Sequence, residues 1–436
     1  MRTDAPPFET LIDDLSHEGR GVARVDGKVV FVEDALPGER VLARRSRRGR
    51  DYDEAVLVEV LEASPDRVEP RCRHFGVCGG CVLQHLAPAA QIAAKQKQLL
   101  ENLRRIGGLQ PDRVLAPLVA QAWGYRRKAR LSVKDVPKKG RVLVGFRERQ
   151  PRFIADVRDC PVLDPRVGPL VGALGELVGR LQSASRIAQI EVAAGDGMPA
   201  LVFRNLVDLG EADRSLLSEF GREHGLAIYL QPGGADSVRL LWPAQHALAF
   251  TLAAEGLSYR FEPLDFIQVN GALNEAMIGQ ALALLAPGPD QHVLDLFCGL
   301  GNFSLPIARR AGRVTGIEGD AGLVARAAAN ATANGIGNAQ FLAVDLAGDL
   351  RDAPWAGRGI DAVLIDPPRT GAQAVLEQLR FPDAARLVYV SCHPGSLARD
   401  ARLLVERHGY RLAAAGVMDM FPHTAHVESI ALFERT

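Results

Sequence analysis

Cys392 stands in Ser391-Cys392-His393-Pro394, directly after the apolar run RLVYV. A thiol at the end of a strand can face a cleft, and a thiolate is a strong nucleophile. A free thiol with a pKa near ~8.5 is only a few per cent thiolate at neutral pH, so it needs a nearby cation or helix N-terminus. Glu428, in HTAHVESIALF, is a carboxylate suited to accepting a proton. Two further polar signals sit at the ends of apolar runs: Glu318 in VTGIEGD and Asp366-Pro367-Pro368-Arg369 after DAVLI.

A glycine turn stands among them. In HVLDLFCGLGNFSL, the run from Val293 to Phe297 reads as a buried strand that breaks into Cys298-Gly299-Leu300-Gly301-Asn302 and then a helix. That is the nucleotide-holding corner of an open α/β sheet. The three-glycine dinucleotide frame is incomplete, because Ser304 replaces the third glycine. The D-x-F-x-G-x-G form resembles instead motif I of class I methyltransferases, which bind S-adenosylmethionine. Glu318 is then placed to accept hydrogen bonds from ribose hydroxyls. Amino-directed methyltransferases carry an aromatic where Arg369 stands, so base stacking at that position is lost.

A methyltransferase has a use for a cysteine. Carbon 5 of uracil is a poor nucleophile, but addition of a thiolate to carbon 6 creates an enolate whose carbon 5 can take a methyl group. A base, for which Glu428 is the candidate, must then remove the carbon 5 proton so that the thiol can leave.

Cys72, Cys78 and Cys81 form a C-x5-C-x2-C array on a glycine-rich turn, and Cys160 follows in RDCPVL. Thiols so placed in a reducing compartment are poor disulfide candidates and suit a soft metal centre, either a structural zinc or an iron–sulfur cluster.

The chain of 436 residues is long enough for two or three cores. No apolar run reaches membrane-spanning length, and the N-terminus lacks a signal peptide's apolar core, so a cytoplasmic protein is expected. Residues 1–160 carry 30 Lys and Arg against 22 Asp and Glu, and the remainder carries 22 against 30. A basic front half suggests contact with a polyanion.

The fold class expected is multidomain α/β. Residues 1–63 read as five short strands of a small OB-like barrel, with Asp26-Gly27 as a hairpin turn and Arg44, Arg45, Arg47, Arg48 and Arg50 as a phosphate-facing loop. GRGVAR followed by a PGE turn resembles the TRAM domain of RNA-modifying enzymes. Residues 64–262 form a central α+β unit with the cysteine array and a basic surface including Arg126, Arg127, Lys128 and Arg130. Its helical segment 89–120 is expected to pack on the C-terminal unit. Tyr125 and Phe146 are candidates for base stacking or for the core. Residues 166–260 carry no motif. Residues 263–436 have the βαβ rhythm of a Rossmann-like methyltransferase sheet.

Together FIQVN, DLFCGLGNF, DPPR, SCHP and HVE resemble the RNA uracil-5-methyltransferase superfamily over nearly the whole chain. Its tRNA branch has neither barrel nor cysteine array; the presence of both here points to a branch acting on 23S ribosomal RNA. The resemblance implies Cys392 as nucleophile and Glu428 as base. It implies an S-adenosylmethionine site lined by Gln268, Phe297, Asn302, Glu318, Asp345 and Asp366. It also implies a [4Fe–4S] cluster on Cys72, Cys78, Cys81 and Cys160, with zinc as the alternative. The partner would be a uridine of 23S ribosomal RNA, unpaired or flipped from its helix, met by a monomer with no membrane association. Rival readings are the same chemistry on another 23S uridine or on tRNA, an RNA chaperone with an idle site, and an amino-group methyltransferase that would not need Cys392.

Overall fold

The computed structural model describes residues 6–149, 152–351, 353, 355–357 and 359–436. The front segment forms six strands: β1 (Phe8–Leu11), β2 (Asp14–Leu15), β3 (Gly21–Val25), β4 (Lys28–Glu33), β5 (Arg40–Arg48) and β6 (Tyr52–Glu62). They join in one sheet in the order β1-β5-β6-β4-β3-β2, one strand more than the sequence suggested. Asp26 and Gly27 both take positive φ, as a two-residue hairpin loop between twisted strands requires. Ile12, Ala23, Val30, Val32, Val41 and Ala43 fill its core. The basic run expected as a loop lies mostly on β5, where Arg45 is bonded to Asp53 at 3.0 Å while Arg44, Arg47 and Arg48 are exposed.

Helix α1 (Pro88–Asn102) begins with proline, which needs no N–H partner in the first turn, and ends in a π-turn before Gly108. β7 (Arg113–Val114), β8 (Lys128–Val136) and β9 (Arg141–Gly145) follow, then α2 (Val171–Arg180), β10 (Ile187–Ala193), β11 (Ala200–Asn205), α3 (Glu211–His224), β12 (Ala227–Leu230) and β13 (Arg239–Trp242). The central sheet runs β13-β12-β11-β10-β8-β9. α2 and α3 share its core through Leu174, Val178, Leu217 and Phe220. A hairpin of β14 (Leu248–Leu252) and β15 (Leu257–Phe261) leads to α4 (Gly271–Leu285).

The C-terminal elements are β16 (His292–Leu296), α5 (Ser304–Ala308), β17 (Arg313–Glu318), α6 (Ala321–Ala333), β18 (Ala339–Ala343), β19 (Ala362–Ile365), α7 (Gln373–Gln378), β20 (Arg386–Ser391), α8 (Pro394–His408), β21 (Tyr410–Met418) and β22 (Glu428–Arg435). The sheet order is β18-β17-β16-β19-β20-β22-β21-β7. β16 lies between β17 and β19, so the winding reverses there and opens a crevice beyond the strands' C-terminal ends. The first five strands are parallel and β22 is antiparallel to both its neighbours.

The sequence had not marked β21. Its Ala413-Ala414-Ala415-Gly416 stretch lacks β-branched residues, and burial between β22 and β7 overrides local preference. The helical segment after the cysteine array belongs physically to this sheet. Leu99 and Leu103 share one core with Leu294, Ile365, Tyr389 and Leu397, and β7 forms the sheet's far edge. No helix among the described residues is long and apolar enough to cross a membrane.

Candidate active site and cysteine pocket

The glycine corner is built by backbone conformation. Phe297, Gly299 and Gly301 all have positive φ (64°, 54° and 82°), turning the chain sharply between β16 and α5. Two glycines make that affordable, and the half-buried Phe297 is held at a conformation a side chain rarely adopts. Ser304, in the first turn of α5, donates to Asp295 Oδ2, while Asp295 Oδ1 is buried without a partner. Burial pushes the Asp295 carboxyl up to about 7.

Glu318 ends β17 and accepts from the amide of Gly299 at 3.1 Å and from those of Gly319 and Asp320 at 2.7 and 3.1 Å. Its carboxylate is therefore clamped between two turns at the crevice. Asn302 exchanges two side-chain hydrogen bonds of 2.9 Å with Asn274 of α4. Asn274 in turn lines a small pocket with Gln268, Gly271 and Arg127. Asn274 was not singled out from the sequence; its one signal there is the Asn270 cap, which starts α4 and fixes the phase of its inward face. Asp345 lies exposed just beyond β18, accepting from Ala347 N at 2.9 Å, on the rim of the crevice.

The candidate catalytic corner lies at the ends of β19, β20 and β22. Asp366 follows β19, Cys392 follows β20, and Glu428 opens β22. Ser391 pairs with Ser429, so Cys392 and Glu428 emerge from neighbouring strands at one level. His393 caps α8, accepting from Ser396 N at 3.1 Å, which sets Cys392 against the positive end of a fifteen-residue helix. Asp366 and Glu428 retain some surface access, yet dense protein surrounds both. Burial pushes Asp366 up to about 7 and Glu428 up to about 8, with Asp366 adding to the second shift. Burial also pushes the Cys392 thiol up to about 11, aided by Glu428 and Asp366 and opposed by Arg369. The exposed Arg369 thus faces both Cys392 and Glu428, a role that its position in DPPR alone did not disclose. Phe266, 71% exposed and two residues before Gln268, is another feature that only the fold brings out.

These shifts have a sign that can be tested. The working form of Glu428 as a base is the carboxylate, and with a pKa of about 8 roughly a tenth is ionised at pH 7. A step limited by this base rises nearly tenfold per pH unit below 8 and then levels. The rate of adduct breakdown in a single turnover, followed between pH 6 and 9.5, should show that acid limb; a flat profile from 6 to 8 would contradict the assignment.

Cys72, Cys78, Cys81 and Cys160 line one cavity, walled by Phe75, Phe146, Val157 and Val162. The Gly80 amide donates to Cys78 Sγ at 3.4 Å, and the amides of Val162 and Leu163 point at the Cys160 sulfur. Burial, reinforced by the neighbouring sulfurs, pushes Cys78 up to about 11 and Cys81 up to about 12. Among the described residues no three His, Cys, Asp or Glu side chains are arranged to hold a single metal ion. Phe146 belongs to this wall, and Tyr125 is buried with its hydroxyl donating to Pro422 O at 3.2 Å. Lys128 is likewise drawn inward, donating to Pro263 O, and burial lowers its pKa to about 8.

Residues 244–436 match the model of the tRNA (uracil-5-)-methyltransferase family, and residues 8–44 match that of the TRAM domain. A protein of Xylella fastidiosa strain Temecula1, named 23S rRNA (uracil(1939)-C(5))-methyltransferase RlmD, is 59% identical over 100% of this chain and 99% of its own length. One of the same name from Stenotrophomonas maltophilia strain K279a is 56% identical over 100% and 98%. The chain belongs to the RNA (uracil-C5)-methyltransferase family. Its fold is similar to that of Pyrococcus abyssi tRNA (uracil-54, C5)-methyltransferase, solved with S-adenosyl-L-homocysteine. The TM-score is 0.74, at 22% identity over 98% of this chain and 100% of that one. The N-terminal unit is accordingly a TRAM domain and the C-terminal part a methyltransferase fold.

Proposed function

We propose that this protein transfers the methyl group of S-adenosylmethionine to carbon 5 of a uridine in 23S ribosomal RNA. The observation that carries the reading is the placement of Cys392, Glu428 and Asp366 on adjacent strand ends, beside the glycine corner. Gln268, Phe297, Asn302, Glu318, Asp345 and Asp366 are the residues assigned to the methyl donor. The donor set suits it: a carboxylate at the end of the second strand for ribose hydroxyls, and paired side-chain amides beside a pocket for a charged amino-acid end.

In the reaction the Cys392 thiolate forms a bond to carbon 6 of the ring, and the displaced electrons make an enolate. Carbon 5 of the enolate takes the methyl group, leaving S-adenosylhomocysteine. Glu428 accepts the carbon 5 proton, the double bond re-forms and the Cys392 sulfur departs. Arg369 favours the thiolate, and the N-terminus of α8 adds to that effect. Reaching carbon 6 requires the uridine to leave any stack it occupies. The exposed Phe266 offers a face on which a displaced base can rest. The TRAM sheet and the arginines of β5 supply the phosphate contacts. The protein works as a monomer in the cytoplasm.

Incubation with S-adenosylmethionine and either 23S RNA or tRNA, each from cells lacking the corresponding activity, tests the substrate. Mass spectrometry should find one new 5-methyluridine in the 23S RNA alone. Methylation confined to tRNA would keep the chemistry and overturn the partner.

The four cysteines are proposed to hold a [4Fe–4S] cluster that fixes the surrounding loops. The support is a cavity lined by all four thiols; a tetrahedral zinc on the same sulfurs is the alternative. When bound, the cluster supplies cross-links between residues 72–81 and 160. Cys81→Ser is expected to lose the absorption near ~400 nm and to lower the melting temperature. Zinc in the wild-type protein, with no iron, would overturn this assignment.

A further inference from the structure

The buried face of α1 carries Gln91, Lys95 and Leu99 at successive turns, two of them polar. Both polar side chains address the same segment, the loop from Asp419 to Val427 that ends at Glu428. Gln91 accepts from His423 N at 2.9 Å. Lys95, only 3% exposed, donates to Asp419 Oδ1 at 2.6 Å and to Phe421 O at 3.0 Å. The mouth of this loop is closed by the pairing of Met418 with Glu428, so the residue that Lys95 grips directly follows the partner of Glu428 in the sheet. The loop is held from a third side, where Val82 N and Leu83 N both donate to His423 O at 2.9 Å.

A buried lysine is costly, and an apolar pair of similar volume would serve packing as well or better. Its charge calls for another explanation.

We infer that Lys95 is a positioning residue for Glu428: it clamps the Asp419–Phe421 turn and brings a cation to the loop that ends at the carboxylate, holding the base ready for the carbon 5 proton. This rests on the reading of Glu428 as that base.

The groups acting on Glu428 come from several elements. Asp366 beyond β19 raises its pKa, while Arg369 and Lys95 lower it. Cys392 beyond β20 feels Glu428 in return, and the exposed His426 on the same loop lies within the influence of Lys95 and Arg369. Arg369 is exposed and free to engage RNA, whereas Lys95 is sealed in the protein, where burial lowers its pKa and the carboxylates of Asp419 and Glu428 oppose that shift. Nothing in AAKQKQLL separates Lys95 from Lys97, which lies on the surface bonded to Asp14.

The test measures the single-turnover rate of adduct breakdown on 23S RNA against pH. Lys95→Met should move the acid limb upward by about 1 pH unit, as loss of a nearby opposite charge does, and slow breakdown at pH 7 about tenfold. Methyl transfer into the adduct should change less. Lys95→Arg should restore the wild-type limb. Lys95→Met with Asp419→Asn leaves no unpaired buried charge, so it serves as the folded neutral variant if Lys95→Met alone is unstable. It should also move the limb upward, by less than the single variant, because the Asp419 charge is removed with it. An unmoved limb in a folded neutral variant overturns the inference. Glu428→Gln, run alongside, separates the two claims. If that variant breaks down its adduct normally, the reading of Glu428 fails; if it stalls while the neutral Lys95 variant keeps its limb, only the role of Lys95 fails.

Discussion

Cys392→Ala is expected to lower methylation of 23S RNA by roughly 10⁴-fold or more, the scale seen when a covalent nucleophile is removed. Without addition at carbon 6 the ring has no enolate, and positioning of donor and base alone leaves carbon 5 a poor nucleophile. The loss should appear in kcat and not in binding, because the half-buried thiol contributes little contact area. Filter binding of the RNA should therefore stay within a few-fold of wild type, and the melting temperature should be nearly unchanged. Retention of methylation by the variant would favour the amino-group reading that the DPPR motif first raised.

Glu428→Gln is expected to behave differently. The glutamine keeps the shape of the side chain and loses its ability to take a proton. Addition and methyl transfer proceed, but the proton at carbon 5 stays and the sulfur cannot leave. Turnover should fall by about 10²–10⁴-fold, the usual contribution of a positioned base. A methylated RNA–protein adduct that survives denaturing electrophoresis should accumulate to near one per enzyme. The pair of variants thus separates the two halves of the reaction: one prevents the adduct, the other preserves it. Neutralising Glu428 also removes one of the influences that raise the Cys392 thiol. Adduct formation in Glu428→Gln is therefore not expected to be slower than in wild type.

The site was legible where chemistry follows strand ends. Glu318, Asp366 and Cys392 each stand at the close of an apolar run, and a parallel sheet brings such positions to one crevice. The glycine turn was equally plain, since positive φ at Gly299 and Gly301 is written in residue type. The TRAM unit was recognisable from its turns, although β2, two residues long, is too short for any pattern to mark it. Contacts between distant segments were not legible. The pairing of Asn274 with Asn302, the grip of Lys95 on Asp419 and the approach of Arg369 to Cys392 depend on how α4, α1 and the DPPR loop dock. β21 was hidden because an alanine-rich strand acquires its preference from burial, and β7 because two residues of edge pairing carry no periodicity. Conversely, the run from Arg44 to Arg50 looked like a uniform phosphate-binding loop, but Arg45 is bonded to Asp53 within the sheet.

The buried network around Asp400 shows how such docking shapes the site. Asp400 accepts from Tyr389 Oη and from Ala372 N, both at 2.7 Å, and Arg399 beside it donates to Thr370 O at 2.7 Å. A β-carbon at Gly371, where φ is 82°, would meet Asp400 Oδ2 at 2.5 Å. α8, which begins beside Cys392, is thereby locked to the loop carrying Asp366 and Arg369. One helix therefore sets the positions of Cys392, the proposed nucleophile, and of the loop that carries Asp366 and Arg369.

The central claim is that methylation proceeds through a bond between Cys392 and carbon 6 of a 23S uridine. The most direct test is mass spectrometry of the protein after reaction with S-adenosylmethionine and 23S RNA containing 5-fluorouridine. Fluorine occupies the position of the proton that the base removes, so the sulfur cannot leave. The expected result is a methylated fluorouridine attached to the peptide that contains Cys392 in wild type, with no adduct in Cys392→Ala. Methyl transfer to carbon 5 of ordinary uridine by a protein that yields no adduct on the fluorinated RNA would contradict the account.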